Sequence, residues 1–230
     1  VWEMPDELEE ISGIAHFGNN KIASVQDEDG IIFIYDLNSS SVTDEFEFAG
    51  PGDYEGITLV GTTAYVLRSD GAIFEVRNFR NKNNVTLEYK DLFPSGVNFE
   101  GLGYDEENNR LLLALKEKSG DEFQPVYGFD LNTKKKIDEP VLKIPFDDSV
   151  FDSLDQKRSR KILRPSEITI HPQTWEIYVL EGVNPKLLIL DPSGNPRELF
   201  VLNKKQFPQA EGLTFGSSGE IYISNEGKGG

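Results

Sequence analysis

A chain of 230 residues with 40 acidic and 23 basic side chains, a formal charge of −17 and no cysteine cannot carry a disulfide framework, a thiolate metal centre or a cysteine nucleophile. The negative balance opposes nucleic acid and anionic lipid, since neutralising phosphates takes clustered Lys and Arg; no nucleic-acid partner is expected. No apolar run approaches the roughly 20 residues of a membrane span. Any membrane attachment is therefore expected through an anchor outside this chain, and the missing cysteines fit an extracytoplasmic location in the periplasm, the cell envelope or the secreted fraction.

The first distinctive segment is Ile11-Ser12-Gly13-Ile14-Ala15, and it recurs. Its copies are Tyr54-Glu55-Gly56-Ile57-Thr58, Phe99-Glu100-Gly101-Leu102-Gly103, Pro165-Ser166-Glu167-Ile168-Thr169 and Ala210-Glu211-Gly212-Leu213-Thr214. Aligned on the glycine position, the copies fall at 13, 56, 101, 167 and 212, a regular repeat with one insertion between the third and fourth units.

Each unit continues in a similar way. In the first, the turn Gly18-Asn19-Asn20 leads to a strand over 21–25, a third over 31–35, an Asx-type turn at Asp36-Leu37-Asn38 and a fourth over 43–48. The second turns at Val60-Gly61-Thr62 and gives strands over 64–67, 73–76 and 85–89. The third turns at 106–109, with strands over 110–115, 126–129 and 141–144 and an Asx turn at Asp130. The insertion over 147–161 places Val150, Phe151 and Leu154 at helical spacing among charges and reads as a short surface helix. The fourth unit turns at 171–174, with strands over 176–180, 187–190 and 198–202 and an Asx turn at Asp191. The fifth turns at 216–219 and has a second strand over 220–224 with no third to follow; residues 1–4 are expected as its fourth, closing a ring.

Four antiparallel strands in about 45 residues make a propeller blade, whose small sheet buries its faces only by stacking on neighbours. The pattern predicts an all-β, five-bladed β-propeller forming a single domain over 1–230 and behaving as a monomer. Six blades are the alternative, should the insertion hide a degenerate one.

The innermost strands of a propeller converge on its channel, so the repeated motifs should form a ring. Before the glycine position stand Ser12, Glu55, Glu100, Ser166 and Glu211, with Glu10 and Glu167 beside the two serines. After the second strands come Gln26, Arg68, Lys116 and Asn225 at one level of that ring. Converging carboxylates repel unless a cation, a proton or a base compensates. Arg68 paired with Glu55 and Lys116 with Glu100 would give a closed network. Otherwise the hard oxygens of Glu55, Glu100 and Glu211 suit Ca²⁺, and a mixed acid, base and amide lining suits a small polar or phosphorylated ligand. Glu-Gly as a simple blade-start turn is the structural alternative. The two histidines, His16 and His171, lie in or beside turns, and Lys134-Lys135-Lys136 and residues 157–161 read as solvated basic faces. No nucleotide loop, nucleophile elbow or zinc-protease motif is present.

The run of Ile11-Ser12-Gly13-Ile14, Asp53-Tyr54-Glu55-Gly56-Ile57, Asn98-Phe99-Glu100-Gly101-Leu102, Leu115-Lys116-Glu117-Lys118 and Gln209-Ala210-Glu211-Gly212-Leu213 with Gly219-Glu220-Ile221-Tyr222-Ile223-Ser224 is similar to the SdiA-regulated family of bacterial envelope proteins. That resemblance implies a small β-propeller, periplasmic, membrane-anchored (a lipoprotein, for example) or secreted, without a defined activity. The Glu-Gly signature also resembles calcium-dependent lactonases of the gluconolactonase type and esterase-like phytases, in which a blade-start Glu binds the metal. This second resemblance implies a metal role for Glu55, Glu100 or Glu211. The expectation is a channel that binds Ca²⁺ or a small polar ligand, the alternatives being a metal-dependent phosphoesterase or lactonase and a protein-interaction scaffold.

Overall fold

The computed structural model describes residues 1–81, 83–116, 122–154 and 162–227. These residues are almost entirely β. The first sheet holds β1 (Ile11–Gly18), β2 (Lys21–Gln26), β3 (Ile31–Asp36) and β4 (Ser41–Glu47) in sequential antiparallel order. The second repeats this with β5 (Tyr54–Val60), β6 (Thr63–Arg68), β7 (Ile73–Arg77) and β8 (Val85–Tyr89). The third has β9 (Phe99–Asp105), β10 (Arg110–Leu115) and β11 (Phe123–Asp130), whose outer edge pairs with both β12 (Lys135–Lys136) and β13 (Leu142–Pro145). The fourth holds β14 (Glu167–Ile170), β15 (Ile177–Glu181), β16 (Lys186–Leu190) and β17 (Pro196–Val201). Last comes a two-stranded sheet of β18 (Ala210–Phe215) and β19 (Ile221–Asn225).

The molecule therefore has four complete antiparallel blades in a propeller arrangement, where the repeat predicts five or six. Among the described residues the fifth motif yields the hairpin β18–β19, and residues 1–4, expected as its fourth strand, add no strand. Instead Trp2 packs its ring 6.1 Å from that of Tyr222 and donates its indole N–H to the Leu37 carbonyl. The inner strands pack in succession: β1 on β5, β5 on β9, β9 on β14, and β18 between β14 and β1.

Apolar residues point to both faces of the middle strands, and the period of two explains why. On β10, Leu111, Leu113 and Leu115 pack against blade 2, while Leu112 and Ala114 pack against blade 4. On β6, Tyr65 and Leu67 face blade 3 while Ala64 and Val66 face blade 1. The hydrophobic core is thus a set of wedges between neighbouring blades. Each large side chain fully buried there contributes on the order of 1.5–3 kcal/mol.

The predicted Asx turns form. Asp36, Asp130 and Asp191 each accept backbone N–H groups from residues two and three or four positions on; these bonds, preceded at Asp191 by the Asn195 side-chain amide, hold the carboxyls below the ordinary range. The insertion differs from the expected surface helix. Its described part is a single 3₁₀ turn, Ser149–Phe151, capped by the Asp148 carboxylate, and Phe151 is buried between blades 3 and 4. An apolar side chain with a blade interface in reach is drawn inward. The rest of the expected helix, 155–161, lies outside the described residues.

Candidate channel site

The Glu-Gly motif does two jobs at the axis. The glycines let neighbouring inner strands touch. A Cβ on Gly13 would stand 2.6 Å from Ile57 N and 2.7 Å from Gly56 Cα, and one on Gly101 2.7 Å from Ile168 N. The residue before each glycine sits in a register shift. Glu55 is skipped between the Tyr54–Arg68 and Gly56–Leu67 pairs, and Glu100 between Phe99–Leu115 and Gly101–Ala114. Glu211 and Gly212 together oppose Ser224, and Ser12 and Gly13 together oppose Val25. A β-bulge of this kind re-aims the extra side chain out of the ladder. Three blade-start glutamates leave their sheets in the same way.

They meet around Lys116. Its ammonium lies 2.6 Å from Glu100 Oε1, which also accepts from the Asn98 amide at 3.2 Å, and Glu100 is 3% exposed. Burial opposes charge on Lys116, yet the bond to Glu100 and the fields of Glu100, Glu211 and Glu55 outweigh it and hold its pKa above the ordinary value. For Glu55 burial comes first, followed by the charges of Glu100 and Asp53, and its carboxyl is pushed up to about 9. Glu211 is pushed up to about 8 by burial and then by Glu100. Burial also raises Glu100, against the pull of Lys116. The ring thus joins a lysine held charged against Glu100 to two further glutamates whose carboxyls burial and neighbouring acids push well above the ordinary range.

The remaining expected residues divide. Lys116 makes the predicted pair with Glu100. Arg68 does not reach Glu55: it bonds Asp70 at 2.9 Å and Glu88 at 3.2 Å and lies over the Phe74 ring at 5.3 Å. Two carboxylates on its own blade, one of them on the outer strand β8, give it better-solvated partners than the buried channel. Gln26 organises its own loop, bonding Asp29 and the backbone N–H groups of Glu28 and Asp29. Glu10 shares a hydrogen bond with Asp27, a residue the motif did not single out. Burial and then Glu10 push Asp27 up to about 6, with Glu226 and Glu28 adding to it. Glu167 occupies the glycine position of its repeat and is 1% exposed; its Oε1 accepts from Leu102 N and Ile168 N, both at 2.8 Å. Asn225 stands on the adjacent rim, at the end of β19. Glu117 and Lys118 lie outside the described residues. The histidines lie toward the far ends of the inner strands from the glutamates, with His171 accepting turn N–H groups at 3.1–3.2 Å.

A metal ion fits this ring poorly. The Lys116 ammonium already sits against Glu100 where a cation would be held, and among the described residues no three His, Cys, Asp or Glu side chains are grouped to hold a metal ion. Hydrogen-bond exchange and charge compensation are what the arrangement can do.

Among solved structures, a protein of unknown function from Bacteroides thetaiotaomicron VPI-5482 superposes with a TM-score of 0.63 at 14% identity, covering 94% of this chain and 52% of the other. The chain thus spans about half the length of that neighbour. A nidogen/laminin complex gives 0.59 at 13% identity over 94% of this chain and 72% of the other, and virginiamycin B lyase from Staphylococcus aureus gives 0.53 at 14% over 97% and 66%. At these identities the likeness is one of fold, the β-propeller. No curated protein matches. The sequence matches the SdiA-regulated family across residues 4–228, nearly its whole length, and with the repeated blade-start motifs in place the chain belongs to that family.

Proposed function

We propose that the channel mouth is a binding or sensing site for a small polar ligand with a cationic end. One observation carries this reading: bulges in blades 2 and 3 and in the β18–β19 sheet bring Glu55, Glu100 and Glu211 around a single lysine, with Glu55 pushed up to about 9 and Glu211 to about 8. A ligand that brings positive charge displaces protons from these two, so its affinity rises as pH rises through about 8 to 9. The charged and titratable groups facing this site are Asp53 and Glu55 from blade 2, Glu100 and Lys116 from blade 3, Glu167 from blade 4, Glu211 and Glu226 from the β18–β19 sheet, and Asp27, Glu10 and Glu28 from blade 1. The cysteine-free acidic chain and its family support an extracytoplasmic, monomeric protein.

Calorimetry at pH 6 and pH 9 with Ca²⁺ and with small organic cations tests the reading. Binding that strengthens at pH 9 and is lost in Glu55→Gln and Glu211→Gln is expected. Absence of heat and of thermal shift with every cation at both pH values would overturn it. Turnover of phosphomonoesters, phytate or lactones that disappears in Glu100→Gln would replace binding by hydrolysis.

A further inference from the structure

Away from the channel, two neighbouring blade interfaces each receive a cation and treat it differently. After its third strand, blade 3 turns and sends Lys134 onto blade 2, where it lies 3.0 Å from Glu75 and 2.8 Å from the Tyr65 hydroxyl. Tyr65, third residue of β6, pairs with Glu75 on β7. Blade 2 also turns after its third strand and sends Arg80 onto blade 1, where the guanidinium lies over the Phe17 ring at 5.1 Å. The matching pair on blade 1, the third residue of β2 and its partner on β3, is Ala23 and Ile34. No carboxylate stands where Glu75 stands on blade 2, and Arg80 makes no ion pair or hydrogen bond among the described residues.

The smaller pair also leaves space. Strand alternation turns Phe17, Ile34 and Phe46 of blade 1 toward blade 2, all three against one core cluster. Phe79 of blade 2, 1% exposed, enters this interface and meets the rings of Phe17 and Phe46 edge-on at 5.8 and 5.7 Å. Beside these rings a cavity of about 420 Å³ remains, its lining including Phe17, Lys21, Ile34, Asp44, Phe46 and Arg80. Apolar walls with a few convergent polar groups, at this size, are the make-up of a small-molecule site.

The polar groups of this cavity favour an anion. Lys21 donates to Thr43 Oγ1 at 3.0 Å and lies 3.6 Å from Asp36, and Thr43 in turn donates to Asp44 at 3.0 Å, so both Lys21 and Asp44 have partners. Arg80 is the group left over. A guanidinium stacked on an aromatic face keeps its edge of N–H donors available, and that fork matches a carboxylate bidentately. Among the described residues two cations face one carboxylate across this cavity, in a chain whose formal charge is −17. A carboxylate arriving from solution would do for Arg80 what Glu75 does for Lys134, with its apolar body against Phe17, Ile34 and Phe46. We infer that the cavity between blades 1 and 2 binds a small aromatic carboxylate, its carboxylate on Arg80 and its ring among those three side chains.

Calorimetric titration with phenylacetate, its uncharged analogue phenylacetamide and acetate tests this. Phenylacetate is expected to bind, and phenylacetamide at least about tenfold more weakly, the worth of one charge-assisted hydrogen bond. Acetate, which has no ring to bury, should also be weaker by about tenfold or more. Arg80 is exposed, so Arg80→Gln should fold; it should weaken phenylacetate by about tenfold or more and leave phenylacetamide unchanged, a split that a merely structural role would not produce. Equal affinities for the acid and the amide, phenylacetate binding unchanged in Arg80→Gln, or no saturation at about 10 mM would each overturn the inference. Binding lost in Glu55→Gln and kept in Arg80→Gln would place the probe in the channel and overturn it too.

Discussion

Replacing Gly101 by Ala tests whether contact between inner strands holds the ring together. The new Cβ would lie 2.7 Å from Ile168 N and 2.8 Å from the Cα and carbonyl carbon of Glu167, all backbone atoms of the next blade. Ordinary contact begins near 3.4 Å, so β9 and β14 must separate by about 0.7 Å or tilt. No flexible side chain is available to give way. Overpacking of this kind costs roughly 1–3 kcal/mol, and backbone on both sides places Gly101→Ala at about 2–3 kcal/mol after the gain of up to about 1 kcal/mol from a stiffer unfolded chain. Gly50 is the control: a Cβ there meets nothing within 4 Å and its φ is not positive, so Gly50→Ala should be neutral or stabilising by up to about 1 kcal/mol. In urea melts with a slope near 3 kcal/mol per M, the two midpoints should differ by roughly 1 M. Midpoints within about 0.2 M of each other would show that the ring tolerates a gap at the glycine position and would refute the argument.

Stability should fall as pH rises from the ordinary carboxyl value of 4.5 through about 8 and 9, because Glu211 and Glu55 keep their protons when folded and lose them when unfolded. Thermal melts between pH 5 and 9.5 should show this slope flattened in Glu55→Gln and Glu211→Gln; an identical slope would exclude these groups as its source. Lys186, 2% exposed, lies 2.5 Å from the fully buried Glu181, so Lys186→Met alone should cost about 3–5 kcal/mol. Adding Glu181→Gln should recover a good part of that loss in denaturant melts, since no unpaired carboxylate is then buried; a double variant as weak as the single would contradict this. Glu75 is bonded by Arg77, Tyr89 and Lys134, which overcome its burial and hold it at about 2. Glu75→Gln should therefore cost about 2–3 kcal/mol at pH 7, a deficit that narrows as pH falls from 4.5 through 2, where the native protein loses the same charge.

The repeat, its hairpins and its Asx turns are local properties and are legible in the sequence. Turn chemistry at Asp36, Asp130 and Asp191 and apolar runs such as 111–115 need neighbouring residues to define them, and a blade buried on both faces leaves a continuous hydrophobic run rather than an alternating one. The placing of Glu55, Glu100 and Glu211 toward the channel follows from the repeat, which also offers Lys116 to Glu100 as one of several ways to compensate their charge. Other features depend on what another blade supplies. Lys134 reads as one of three solvated lysines, yet it crosses to Glu75 at 3.0 Å and Tyr65 at 2.8 Å on blade 2. Arg68 reads as a channel base, yet two carboxylates on its own sheet take it away. Residues 1–4 read as a closing strand, but Trp2 finds Tyr222 and Leu37 and no ladder forms. Glu167, standing where four other repeats have glycine, shows in the sequence as an exception, but its unpaired buried oxygen appears only once blades 3 and 4 are packed. A repeat fixes which strand comes next and which face is buried. Which charged side chains end up paired depends on the distances between blades, and those are set by the packing of segments far apart in the chain.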